Sequence, residues 1–213
     1  MSGQTNTSRP NILFIAVDDL RPQSGCYGKT FMHTPNMDSL AQAGIRFVRS
    51  YCQYPLCGPS RTSIMTGMRP NTVKVYSNYT HFRQKVPDAV TLPQHFKNHG
   101  YYSIGIGKLY HHTKSMQDPK SWSETPVKYY SNEIQGEYHL KDNINGYQRA
   151  EAKAEKQSRK ELLKGAPPYE KAELPDTAYQ DGKIANEAVS VLERLAKKED
   201  RPFFLGWDFT NRI

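Results

Sequence analysis

The chain has 213 residues, enough for one large domain with a real core or for two small ones. Hydrophobic residues make up 37% and charged residues 23%, a globular balance at a rather polar mean hydropathy of −0.78, and no apolar run approaches the ~20 residues that span a bilayer. The formal charge of +8 is not focused in one block: the basic residues from Lys153 to Lys171 stand beside Glu151, Glu155, Glu161 and Glu170, which reads as a solvated helix and argues against nucleic-acid binding.

Residues 1–10 form a polar tail without the apolar stretch of a secretory signal, which leaves the site of action open. Asn11 to Val17 is a continuous apolar run with two isoleucines and a valine, closed by Asp18 and Asp19; it predicts a strand buried on both faces of a helix-covered sheet. Thr34-Pro35 makes an N-cap and N1 pair, opening a helix through Met37, Leu40 and Ala41 to Gly44. Ile45 to Cys52 reads as a returning strand, and Pro59 to Gly67 as a short helix beginning just after Cys57. Thr91 caps a further helix with Pro93 early, Phe96 on its apolar face and Gly100 at its end. Tyr101 to Gly107 is then a strand leading into Lys108.

Thr113 to Pro175 is rich in Ser, Pro, Tyr, Lys and Glu and reads as a long excursion with one exposed helix near Ala150 to Leu163. Order resumes at Asp176, with Ala185, Ala188, Val189, Leu192 and Leu195 at helical spacing; Arg201-Pro202 ends that helix, and Phe203 to Leu205 begins another strand. Alternating strand and helix favour an α/β sandwich, and there is no internal repeat.

Two clusters carry chemistry. Asp18 and Asp19 lie where ligands bind in open α/β sheets, beyond the carboxyl end of a strand. Adjacent carboxylates repel unless a cation joins them, and hard oxygens suit Ca²⁺ or Mg²⁺; a solvated turn is the equal alternative. The second cluster is Cys57-Gly58-Pro59-Ser60-Arg61 followed by Thr66-Gly67. Cys57 at a helix N-terminus would meet free N–H groups that favour an anion, and Arg61 lies one turn later, so the pattern suits a tetrahedral oxyanion. A loop cysteine before a Pro-started helix is the plainer alternative, but the extension to Thr66-Gly67 makes the pattern specific. The other cysteines, Cys26 and Cys52, fit no zinc spacing and read as buried small residues.

The run Cys57 to Gly67 resembles the signature of the sulfatase family, whose cysteine is oxidised to Cα-formylglycine by a formylglycine-generating enzyme. The resemblance covers nearly the whole chain and is greatest to the iduronate-2-sulfatase-like group. It runs through Pro10-Asn11-Ile12-Leu13, Asp18-Asp19-Leu20-Arg21-Pro22, Gly25-Cys26-Tyr27-Gly28 and Thr34-Pro35-Asn36-Met37-Asp38. It continues in Thr66-Gly67-Met68-Arg69-Pro70, Gly107-Lys108-Leu109-Tyr110-His111, Ser121-Trp122-Ser123 and Pro202-Phe203-Phe204-Leu205.

That resemblance implies an alkaline-phosphatase-like fold, with a mixed sheet between helices over residues 11–205, and hydrolysis of sulfate esters on a sulfated small molecule or polysaccharide. It implies that Asp18, Asp19 and residue 57 bind Ca²⁺, with Mg²⁺ the alternative. Hydrated formylglycine would attack sulfur with one hydroxyl and release sulfate with the other. Arg61 would hold residue 57 and the metal-side charge, Lys108 the sulfate, and His111 would assist turnover; His112 has no assigned role. A phosphate or phosphonate ester hydrolase of the same superfamily is the rival, for which Thr or Ser would replace Cys57.

The chain also departs from the family. No later Asp-His/Asn-Gly segment occurs, and after Leu205 the usual Gly-Val-Gly-Phe-x-Lys-Pro-His gives way to Gly206-Trp207-Asp208-Phe209-Thr210-Asn211-Arg212-Ile213. A coding run for this stretch exists that, read two bases later, gives Val-Gly-Phe-Tyr-Lys-Pro-His. The sequence therefore sets 206–213 apart as a divergent tail, with a frameshift near Leu205 and a catalytically inactive, truncated product as the expectation.

Overall fold

The computed structural model describes residues 9–111, 116–127, 138–154, 167, 169–197 and 201–210. Three strands form one parallel sheet in the order β1-β3-β2: β1 (Ile12–Val17), β2 (Tyr102–Gly107) and β3 (Phe203–Phe209). The strand that comes last in the chain therefore lies in the middle, with Leu205 opposite Leu13 on one side and Ile104 on the other. Its alternation sends Phe203, Leu205 and Trp207 to one face and Phe204 to the other, where they join two separate apolar clusters.

The first face is closed by α6 (Gln180–Ala196), whose Ile184, Ala188, Val191 and Leu195 are buried at helical spacing against Ile104, Ile106 and Leu205. The expected inward face was only partly right: Ala188 and Leu195 point in, whereas Val189 is 55% exposed and the isoleucine one turn before Ala188 does the packing. Thr210 donates from N–H and hydroxyl to Asp181 Oδ1 at 2.8 and 3.0 Å, which joins the end of β3 to the start of α6.

The opposite face carries α4 (Leu92–Asn98), α2 (Cys57–Thr66) and α3 (Pro70–Val73). Phe96 stacks on Phe204 with ring centroids 5.2 Å apart, and Met65 and Val73 extend the same cluster. The expected cap of α4 is present, with the Gln94 N–H donating to Thr91 Oγ1 at 3.3 Å and Pro93 in the first turn. A buried network supports this side: Arg83 grips Asp118 fork to fork at 2.6 and 2.8 Å, while Ser121 donates to Asp118 and meets Thr91 and Tyr110. Gly105 in β2 lies under Trp122, where a Cβ would come within 2.9 Å of the ring.

Four further expectations change. Among the described residues β1 is covered on one face only: Ile12 and Phe14 pack into the core, whereas Leu13 and Ile15 are 50% and 48% exposed, because α6 lies over β2 and β3 instead. Residues 45–52 form no strand; after α1 (Pro35–Ala43) the backbone is irregular and Ile45 is 86% exposed. A strand needs a neighbour for its N–H and C=O groups, and among the described residues none pairs with this segment. The middle helix, α5 (Lys141–Ala154), starts earlier than expected, and 155–163 lie outside the described residues. Of the two cysteines read as buried, Cys52 is exposed and Cys26 partly so, its thiol 3.3 Å from Ser24 Oγ.

Candidate functional site

The carboxyl ends of all three strands converge on one buried charge cluster. β1 delivers Asp18, whose N–H still pairs with Phe209 O at 2.9 Å, so its carboxylate is fixed at the last rung of the sheet. Lys108 follows β2 directly and is buried; its ammonium meets Asp18 Oδ2. Across the site, α2 opens at Cys57, the first helical residue after Leu56, and its thiol lies 3.9 Å from Asp18 Oδ1. Arg61, one turn on, is buried with one nitrogen 3.2 Å from Asp18 Oδ1 and another 2.7 Å from Asp208 Oδ2. The same guanidinium donates to the Lys108 carbonyl. Arg61 thus ties its helix to the ends of β1, β2 and β3 at once.

The start of α2 is itself held tightly. The Gly58 N–H donates to Asn78 Oδ1 at 2.7 Å, and a Cβ on Gly58 would fall 2.9 Å from that oxygen and 3.0 Å from the Asn78 Cα. Glycine is required here for close approach. Gly67 ends the helix in the left-handed region at φ 68, its N–H bonded to Ser63 O.

Electrostatics divide the two buried carboxylates. Burial raises the Asp18 pKa, but the hydrogen bond from Lys108 and the charges of Arg61 and Lys108 outweigh it and hold the group below its usual value. Asp208 goes the other way: burial dominates, Arg61 offsets only part, and the nearby Asp18 charge adds to the rise, so it is pushed up to about 6. Its contact with Arg61 is a single one, from Nη1 to Oδ2 at 2.7 Å, and the same nitrogen donates to the Lys108 carbonyl.

Sequence reasoning brought Asp18, Cys57, Arg61 and Lys108 forward, and the fold assembles them. Asp19 is exposed, with a left-handed backbone at φ 53. His111 is buried on the segment after β2, its carbonyl accepting from Gln117 Nε2 at 2.7 Å; His112 lies outside the described residues. Asp208 and Asn78 were missed. The signal for Asp208 was present: an acidic residue inside the apolar run Phe203 to Phe209 must be buried with a partner.

Asp18 and Asp19 fit a divalent cation in kind, as hard oxygen donors beside residue 57, but not in number. No three His, Cys, Asp or Glu side chains converge as ligands among the described residues, and both Asp18 oxygens already face cations.

A parallel sheet with buried cations off its carboxyl ends, facing a helix that opens at a cysteine, defines an α/β protein. Residues 10–209 match the family model described as Sulfatase, and the chain belongs to the sulfatase family. It is 32% identical to mouse iduronate 2-sulfatase over 96% of its own length and 35% of that protein. It is 34% identical to a sulfatase of Formosa agariphila over 97% of its length and 39% of that one. The chain spans little more than a third of these relatives. Among solved structures, the phosphonate monoester hydrolase of Agrobacterium radiobacter superposes with a TM-score of 0.63 over 95% of this chain and 41% of that one, at 22% identity. The fold is the alkaline-phosphatase-like α/β fold, and the family's homologues are sulfuric ester hydrolases.

Proposed function

We propose that this chain carries the nucleophile-bearing part of a sulfuric ester hydrolase of the iduronate-2-sulfatase-like type, acting on sulfate esters of sugars, with Cys57 as the nucleophile's precursor. The observation that carries the reading is Cys57 on the first turn of α2 with Arg61 and Lys108 buried around the same Asp18 carboxylate. An anion at residue 57 would meet a helix N-terminus and two buried cations. In this reading formylglycine at position 57 supplies the oxygen nucleophile that a thiol lacks. A divalent cation, Ca²⁺ or alternatively Mg²⁺, would be held in part by Asp18, Asp19 and residue 57, and would supply charge neutralisation at the sulfuryl oxygens. Arg61 orients residue 57, Lys108 grips the sulfate, and His111 assists turnover of the diol. The name iduronate 2-sulfatase carried by the mouse relative supports a sugar sulfate as substrate.

The test is co-expression of the 213-residue chain with a formylglycine-generating enzyme, then peptide mass analysis. The peptide containing Cys57 should lose about 18 Da, the difference between a thiol-bearing and an aldehyde-bearing side chain. A peptide that keeps its full mass in a competent host removes the basis of the reading. Assays on an aryl sulfate and a phosphonate monoester then separate the sulfatase from the phosphonate hydrolase that shares the fold. A converted chain that cleaves neither is the inactive form.

A further inference from the structure

Asp208 has no place in the chemistry described so far, yet it is fully buried inside the site. It lies on the central strand β3, opposite the α6 face, and Arg61 Nη1 is 2.7 Å from its Oδ2. The pair is not built like the structural pair Arg83–Asp118. There the carboxylate takes two aligned guanidinium nitrogens at 2.6 and 2.8 Å and a serine hydroxyl at 2.7 Å. Asp208 meets a single guanidinium nitrogen, Arg61 Nη1, which the Lys108 carbonyl shares. A buried carboxylate so poorly satisfied stabilises little, because desolvation is not repaid by geometry.

The charge balance gives it a different role. Arg61 and Lys108 bring two positive charges, and Asp18 and Asp208 bring two negative ones. The cluster is neutral with Asp208 ionised and carries one positive charge without it. Arg61 Nε is buried and has no hydrogen-bond partner among the described residues, so the guanidinium keeps a donor to offer. We propose that Asp208 is a resident counter-anion: it occupies Arg61 in place of an incoming sulfate group and so sets the anion affinity of the site. This rests on the sulfatase reading, because the anion class is taken from it.

Neutralising a merely structural carboxylate weakens a site, whereas neutralising a competing one tightens it. The experiment is titration of inorganic sulfate into the full chain and its Asp208→Asn variant, following the Arg61 Nε–H resonance by NMR. The expected result is that the variant saturates at a sulfate concentration lower by more than about tenfold, since a unit charge within about 10 Å at an effective dielectric near 20 is worth more than that. The wild-type chain should saturate only above about a millimolar. Asp208→Ser serves where the asparagine variant does not fold. Wild-type saturation in the micromolar range, or a folded variant that binds no tighter, overturns the role of Asp208 and leaves conversion at Cys57 untouched. Absence of sulfate binding in both proteins overturns it together with the anion site on which the sulfatase reading stands.

Discussion

Two regions of the molecule bury side chains equally well for opposite reasons. Under α6, Ile104, Ile106 and Leu205 are removed from water and pack in an apolar cluster. At the carboxyl ends of the same strands, Asp208 is just as buried and Arg61 and Lys108 nearly so, but each is charged. The first region gains free energy by burial; the second spends it to hold charges at fixed positions. One sheet thus supports a core that tolerates volume-conserving change and a cluster that tolerates almost none.

The largest expected effects probe each region at its centre. Phe204→Ala, which empties the cluster shared with Phe96 and Phe14, should cost about 3–5 kcal/mol in urea denaturation. Arg61→Met should cost a similar 3–5 kcal/mol, since it leaves Asp18 and Asp208 without their shared partner. The comparison sharpens with Arg61→Met/Asp208→Leu, which should recover part of that loss; a double variant less stable than the single would show that charge is not what the region is held for.

A smaller effect depends on pH. Asp208 is raised from 3.8 to about 6, so the folded chain holds its proton where the unfolded chain has lost it. This group therefore favours the folded state below about pH 4 and withdraws that support as pH rises to about 6, by about 3 kcal/mol at most. Asp18, held low by Lys108 and Arg61, works in the other direction: its contribution is present above its unfolded value and disappears as pH falls. Asp208→Asn should abolish the decline between pH 4 and 6 in chemical denaturation. Identical pH profiles for the two proteins would break the assignment. The smallest effect belongs to the uncovered side of the sheet. Leu13→Ala, at a position half exposed, should cost about 1 kcal/mol or less; a loss as large as that of Phe204→Ala would mean that this face is covered in solution.

Much of the site could be read from the sequence because its residues announce themselves locally. Asp18 closes an apolar strand, Arg61 follows Cys57 by one helical turn, and Lys108 follows a strand directly. What local pattern cannot supply is which strand lies in the middle. Asp208 was passed over because its stretch was judged by its departure from a family pattern, and only the β1-β3-β2 order brings it beside Arg61. Ile45 to Cys52 has strand-like composition, but composition offers no pairing partner, and the segment is irregular. In α6 the buried stripe Ile184, Ala188, Val191 and Leu195 keeps the helical period, and Ala185 and Val189 lie one position off it.

The order of the strands also sets a clock. β1 and β2 have no contact rung between them until Phe203 to Phe209 is inserted, so the sheet cannot close while the ribosome is still making the segment that precedes β3. Roughly 150 residues separate Cys57 from the end of β3, which at about 5–20 residues per second takes about 8–30 s. During that interval α2 has no completed sheet to dock against, and under the proposed reading Cys57 would stand open to the modifying enzyme. Ribosome-bound chains arrested before Phe203 should accordingly be better substrates for conversion at Cys57 than the released protein, and equal conversion of the two would show that the closed sheet leaves the cysteine accessible.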